Sequence, residues 1–523
     1  MGYSRYNASG VNFTRNRIEP SPISGICVTC IDGCPGFCEI GKSAIRGREL
    51  IYPQPFGKIT AGGEKNYPID LSHFNIHGTC IGAYGIEADP DKAIFPNVDI
   101  QTDLGSNNDI KLRVPFFTGA LGSTDIARNN WDHFAVGAAI SGTIVIIGEN
   151  VCGMDPKLEL KNGKVYKSPD MEHRVKIYKE WYEGYGNILV QLNVEDTRLG
   201  VAEYVIEKLG VNAIELKWGQ GAKDIGGEVK LSSIERAKQL KERGYIVLPD
   251  PDDPVVKEAY KIKAITEFER HSRLGMVTQD GFLKEVERLR KIGAKYITLK
   301  TGAYRPKDLA IALKLSSEAK IDLLTIDAAG GGTGMSPWRM MNEWGIPLVE
   351  LISLTYKYCQ ILKEKGKYIP PIAFAGGLAF EDQIFKVFAL SSPFTKAVCL
   401  GRATMTAGMV AKTIGEMIKK GNIPKDYKEH GNKIEQIFLK GEEILKKYGR
   451  ERFKKIPIGA IGIYTYYDRL STGLKQLMAG ARKFALKYIS RDDIFALTKE
   501  ASEVSGIPFV MDSDKERVKE ILD

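Results

Sequence analysis

Four cysteines spaced Cys27-x2-Cys30-x3-Cys34-x3-Cys38 put four thiols within twelve residues, close enough to converge on one metal centre. Steps of three and four would also align them along one face of a helix. Gly33, Pro35 and Gly36 argue against a continuous helix and for a loop that folds back on itself. Close spacing with a proline alongside suits a 4Fe–4S cluster. Zinc, whose cysteines usually come as two separated Cys-x2-Cys pairs, is the alternative. His77 and Cys80 could replace a ligand. The stretch Gly36-Phe-Cys-Glu-Ile-Gly41-Lys42-Ser43 satisfies the P-loop pattern, but it follows Cys34-Pro35 rather than a hydrophobic strand and shares Cys38 with the cluster. The other cysteines, Cys80, Cys152, Cys359 and Cys399, are scattered, and the six histidines show no metal or triad spacing.

A second set of chemistry-bearing residues stands at the ends of short apolar runs. Gly376-Gly377 and Gly401-Arg402 close two of them, a pairing that could hold a phosphate between backbone N–H groups and a bidentate cation; tight turns are the plainer reading of the glycines. Gly119-Ala120-Leu121-Gly122-Ser123 is a small-residue loop over which a flat ring could lie. Lys217 and Lys300 end two further runs, and a buried ammonium needs an acceptor such as a reduced flavin or a substrate carboxylate. Either lysine alone could instead snorkel to the rim.

The elements that would position these groups are eight apolar runs, at 114–119, 143–148, 188–193, 213–219, 296–302, 323–328, 371–377 and 397–402, most followed by a helical pattern. Alternation of this kind predicts βα units around a parallel sheet, and eight strands is the count of a (β/α)8 TIM barrel, an α/β fold. An open doubly wound sheet is the alternative. A ninth run at 245–249 leads into Pro251 and Pro254 and reads as a loop. The expected organisation is an irregular, Gly/Pro-rich cysteine-cluster segment over 1–105 and a barrel over 106–415. A mainly helical extension follows over 416–523, interrupted by a less regular stretch at 456–464. In a barrel the C-terminal strand ends, with the loops after the seventh and eighth strands forming a phosphate site, converge on one mouth.

The stretches Gly219-Gln-Gly-Ala-Lys223 followed by Gly226-Gly227, and Gly331-Gly-Thr-Gly-Met-Ser-Pro337, resemble the two signatures of the glutamate synthase FMN domain. The order of Gly119-Ala120, Gly148-Glu149, the two signatures and Gly376-Gly377 is also similar to that family, as is the C-terminal segment from Ile456 to that of its short members. The resemblance implies FMN as cofactor. Gly119, Ala120, Leu121, Ser123, Gln191 and Lys300 would surround its ring, with Gly331 and Gly332 nearby, and Gly376, Gly377, Gly401 and Arg402 would hold its phosphate. It further implies a 2-oxoglutarate pocket bordered by Gln220, Lys223 and Glu149, and reductive amination to L-glutamate through 2-iminoglutarate.

Three departures from the family matter. Glu149 lies in Gly-Glu-Asn-Val rather than Gly-Glu-Gly-Gly, the chain lacks the glutaminase domain with its N-terminal cysteine, and residues 403–421 carry no cluster cysteines. Ammonia would therefore come free or from a glutaminase subunit. Electrons would enter through the N-terminal cluster from a ferredoxin or an NAD(P)H-oxidising partner. Two rival readings stand beside this one. The first is an FMN/iron–sulfur oxidoreductase acting on another small acid or serving as an electron-transfer subunit. The second is a non-redox barrel with structural zinc that binds a phosphorylated metabolite.

Composition narrows the classes. Hydrophobic content of 43% and charged content of 27% are those of a globular protein. The net charge of +9, from 74 basic and 65 acidic residues, is spread without the aromatic interleaving of a nucleic-acid groove, though it could attract anionic partners. Residues 1–21 are polar with no apolar core, and the longest apolar stretch, 134–148, is too short to span a bilayer. A cytoplasmic oligomer that binds neither nucleic acid nor membrane is the expectation.

Overall fold

The computed structural model describes residues 32, 34, 38–57, 59, 61–86, 89–219, 225, 228–332 and 335–523. Among them, eight parallel strands close into a barrel: β1 (Phe116–Leu121), β2 (Val145–Ile147), β3 (Ile188–Leu192), β4 (Ala213–Lys217), β5 (Tyr296–Thr301), β6 (Leu323–Asp327), β7 (Ile372–Ala375) and β8 (Thr395–Leu400). Each strand pairs with its sequence neighbour, and β8 returns to β1 through Val398↔Phe116. The fold is the (β/α)8 barrel, and each of the eight runs read from the sequence overlaps one strand.

Alternation decides what faces where. In β5, Ile297 and Leu299 face the surrounding helices, whereas Tyr296, Thr298 and Lys300 face the barrel interior. The lower interior is apolar and is capped by an antiparallel hairpin, Thr102–Leu104 with Ile110–Leu112. Asp322 fixes this cap: Oδ1 accepts the Ser106 N–H at 2.8 Å, while Oδ2 accepts the Ile297 N–H at 2.8 Å. With one end plugged, the opposite, C-terminal mouth is where polar groups gather.

Helices α1 (Trp131–Ser141), α2 (Pro169–Trp181), α3 (Val201–Glu207), α4 (Gln279–Lys291), α5 (Pro306–Glu318), α6 (Leu348–Glu364), α7 (Glu381–Leu390) and α8 (Arg402–Lys419) surround the barrel. The stretch at 456–464, expected to be irregular, is instead the start of the 23-residue α9 (Ile458–Gly480), which packs on α1 and α8. Its glycines serve that contact: a Cβ on Gly459 would meet Gly408 O at 2.5 Å, and one on Gly462 would meet Ala411 Cβ at 2.1 Å. The helix axes therefore approach closely only with glycine at these positions.

Between β4 and α4 the chain makes an excursion, a three-stranded antiparallel sheet in the order Glu228–Leu231, Phe268–His271, Ile246–Leu248 with its own small core. The run at 245–249, read as a loop, contributes the last of these strands, because Phe268–His271 supplies a partner that local proline content cannot foretell. The N-terminal helix Glu39–Arg46 leads into residues that dock on this sheet: Tyr52 donates to Glu228 Oε2 at 2.5 Å, and Arg48 pairs with Glu269. Further on, Phe74–Ile76 pairs antiparallel with Ile494–Ala496 near the other end of the chain. Among the described residues, no helix is long and apolar enough to cross a membrane.

Candidate functional site

Two cavities open at the C-terminal mouth. The first, of about 340 Å³, lies over the ends of β1, β5, β6, β7 and β8. Ten of the twelve residues assigned to a cofactor from the sequence line it: Gly119, Ala120, Leu121, Lys300, Gly331, Gly332, Gly376, Gly377, Gly401 and Arg402. Gln191 lies one layer deeper, where its Nε2 donates to Glu215 Oε1 at 2.6 Å. Ser123 is not on the wall.

The phosphate-sized end is built from backbone and one cation. Gly377 has φ +84°, and a Cβ there or on Gly401 would meet no atom within 4 Å, so a side chain would occupy the cavity. Helix α8 starts immediately after Gly401, which supplies no side-chain cap, leaving its first N–H groups for an anion. Arg402 has no hydrogen-bond or ion-pair partner among the described residues, and burial lowers its pKa. An unpaired, partly desolvated guanidinium beside open backbone N–H groups fits an anionic ligand. The N-terminal segment crosses here: Gly62 lies so close to the Arg402 guanidinium that a Cβ would come within 2.0 Å of its Cζ.

Below this, the barrel core carries a charged layer. Lys300 Nζ lies 3.2 Å from Asp327 Oδ2, and both side chains are nearly buried. Burial pulls the Lys300 pKa down, but the charge of Asp327, helped by Glu215, outweighs it and holds the ammonium protonated. Glu215 is fully buried, and desolvation pushes its carboxyl up against the pull of Lys300, Gln191 and Thr298. Two buried oxygens here, Gln191 Oε1 and Thr325 Oγ1, have no hydrogen-bond partner among the described residues. Such orphans ask for a donor from outside the protein.

The second cavity, of about 410 Å³, lies over the ends of β2 to β5, with Glu149, Asn193, Lys217, Trp218, Arg273 and Tyr304 on its wall. Lys217 is in register with Lys300 on the neighbouring strand, so the two lysines stand side by side, one at each cavity. Both find protein carboxylates rather than waiting for a ligand: Lys217 Nζ is 2.6 Å from Glu149 Oε1. Arg273 is likewise held, with both Glu195 oxygens at 2.9 Å. Gln220 and Lys223, assigned to the substrate pocket, lie outside the described residues, as do Gly226 and Gly227 of the same signature and Thr333 and Gly334 of the other.

Of the metal-site cysteines, Cys27 and Cys30 also lie outside the described residues. Cys34 and Cys38 are partly exposed thiols, and Cys38 Sγ accepts the Gly41 N–H at 3.3 Å at the start of the Glu39–Arg46 helix. Among the described residues, no cluster of three or more His, Cys, Asp or Glu side chains forms a metal site.

Reading from sequence missed several residues that build the site. Asp327 fell within the run 323–328 without a role, and Glu215 occupies an inward position between the apolar Ile214 and Leu216, the one signal that could have marked it. Tyr467, on α9, bonds Thr118 of β1 at 3.0 Å and Thr404 of α8 at 3.1 Å, tying both sides of the first cavity together. Nothing local in the sequence announces that contact.

Residues 270–411 match the family model described as the conserved region in glutamate synthase. A curated relative, the glutamate synthase large subunit-like protein YerD of Bacillus subtilis (strain 168), is 28% identical over 187 residues, which are 35% of this chain and 32% of the relative. The chain thus spans about a third of the length of that relative. Among solved structures, a flavocytochrome b2 double mutant with pyruvate bound aligns with TM-score 0.46 and 16% identity over 82% of this chain and 77% of that one. A mandelate oxidase mutant with an FMN adduct aligns with TM-score 0.42 and 12% identity over 80% and 87%.

Proposed function

We propose that the barrel of this chain is a glutamate synthase-family domain and that the protein is an FMN-dependent oxidoreductase. The observation that carries the reading is Arg402, a guanidinium with no acceptor among the described residues, at the head of α8 and facing the same cavity as Gly376 and Gly377. A phosphate ester is the ligand such a cradle suits. Lys300, held protonated by Asp327, supplies a positive charge beneath the ring position. When bound, FMN accepts and delivers electrons as a hydride or singly; the protein supplies orientation and electrostatics.

The finer reading is reductive amination of 2-oxoglutarate to L-glutamate. Glu149, paired with Lys217, and Arg273 border the second cavity, with Gln220 and Lys223 as the residues that would orient the dicarboxylate. Water exclusion and a fixed distance from the hydride donor are what this wall contributes. Ammonia would come free or from a glutaminase partner, and Cys27, Cys30, Cys34 and Cys38 would hold a 4Fe–4S cluster, which would supply one-electron transfer from a ferredoxin or an NAD(P)H-oxidising subunit. Support for that cluster is the cysteine spacing and the backbone N–H that Cys38 Sγ accepts.

A second reading keeps the flavin and changes the acid. The Glu149–Lys217 pair favours it, because it occupies a cation that a second substrate carboxylate would otherwise use. An anaerobic visible spectrum with FMN, iron and zinc quantified per chain tests the cofactors. Reoxidation of the reduced enzyme by a panel of 2-oxo acids with ammonia tests the reaction. Protein without flavin, and unable to take it up, ends the proposal; flavin reoxidised by other acids but not by 2-oxoglutarate selects the second reading.

A further inference from the structure

One carboxylate outside both cavities is placed to control the substrate side. Asp196, on the short helix Val194–Leu199 after β3, is fully buried, and its two oxygens accept the Asn150 N–H at 3.2 and 3.0 Å. Its Oδ2 also accepts the Asn193 N–H at 3.3 Å. The carboxylate therefore fastens the chain just after β2 to the chain just after β3.

What it fastens is the peptide that follows Glu149. Asn150 sits in the left-handed region, with φ +65°, a conformation a non-glycine residue holds only when its surroundings fix it. The same peptide is pinned from two other sides. Tyr245 donates to Asn150 Oδ1 at 3.2 Å, and a Cβ on Gly122 would lie 2.9 Å from Glu149 O. Glu149 then projects to Lys217 at 2.6 Å. Asp196 thus reaches the cavity through a backbone N–H, a turn and one ion pair, without touching it.

We propose that Asp196 is a positioning residue for Glu149, which in its ionised form locks the Glu149–Asn150 turn and on protonation loosens it. That Glu149 faces substrate rests on the function proposed above; the lock itself does not. Charged and titratable groups surround Asp196 on several sides. Burial raises its pKa to about 7, against the backbone N–H groups of Asn150 and Asn193. Of its neighbours, burial pushes Tyr245 and Cys152 up, and lowers Arg270 from a value far above neutrality. Glu149 is held by Lys217, and Glu195 by Arg273 and Arg198.

Hydrogen–deuterium exchange of the peptide containing Asn150 tests this in the full-length protein, with no flavin or substrate needed. After correction for intrinsic exchange, protection of the Asn150 N–H in the wild type falls about tenfold between about pH 8.5 and about pH 5.5, as a charge-assisted bond becomes a neutral one. In Asp196→Asn, protection is low and flat across that range. Wild-type protection that does not change with pH overturns the proposal, as does an identical pH response in Asp196→Asn; the wild-type profile decides alone if the variant fails to fold. Because the readout is a backbone N–H, loss of the proposed reaction leaves this result standing, and the reverse.

Discussion

Lys300 and Asp327 stand on adjacent strands, Nζ and Oδ2 3.2 Å apart, nearly sealed from water beneath the first cavity. Their pairing keeps a full positive charge where an apolar barrel core would otherwise discharge it. Asp327→Asn is expected to cost about 3 kcal/mol of unfolding free energy, because it leaves a buried ammonium with its nearest anion gone. Urea unfolding measures this. The double variant K300M/D327N recovers part of the loss if the unpaired charge is the cause.

Arg402→Ala is expected to weaken FMN binding by ten- to a hundredfold, on the order of the 1.5–3 kcal/mol of a hydrogen bond to a charged group. Riboflavin, which lacks the phosphate, should bind both proteins equally. A parallel loss for riboflavin would place Arg402 elsewhere than at the phosphate.

Gly62→Ala acts on the same guanidinium from outside the cavity. The added methyl lies within 2.0 Å of Arg402 Cζ, and the flexible side chain, not the backbone, moves aside. Thermal stability should stay near the wild type while FMN affinity falls by up to about tenfold, a part of the Arg402 contribution. Fluorescence titration of the apoprotein reads the change.

Glu215 gives a pH signature. Its folded pKa lies above the unfolded value, so the native state binds the extra proton. That contribution is present in full below the unfolded value of 4.5 and is lost as pH rises through the raised native one. Stability of the wild type relative to Glu215→Gln should therefore decline from about pH 4 towards neutrality. A difference that stays constant with pH would mean Glu215 does not titrate in this way.

Cys38→Ser separates ligand from cap. The hydroxyl can still accept the Gly41 N–H, so the Glu39–Arg46 helix persists, while a cluster thiolate is gone. Iron per chain should drop with flavin content unchanged. Zinc found in place of iron in the wild type would replace the redox role of this segment with a structural one.

Much of this was legible in the residues because barrel strands advertise themselves. Runs such as Tyr296–Thr301 are short and β-branched, and the glycines that end β7 and the Gly401-Arg402 that ends β8 are local requirements of a turn and an anion. What escaped was long-range. Ile246–Leu248 becomes a strand only because Phe268–His271 lies beside it, and the glycines of Ile458–Gly480 read as breaks until α8 is seen against them. Lys217 and Lys300 were recognised as needing acceptors, but which acceptors depended on where Glu149 and Asp327 fell in the closed barrel. Charge pairing across strands has no signature in spacing.

The short antiparallel ladder between Phe74–Ile76 and Ile494–Ala496 sets an order on synthesis. The partner of the earlier strand leaves the ribosome only after more than four hundred further residues, so this ladder closes only once the barrel strands have been made. Until then the segment that passes Arg402 is held on its C-terminal side by Asn342, whose Oδ1 accepts the Glu64 and Lys65 N–H groups, and not by the ladder.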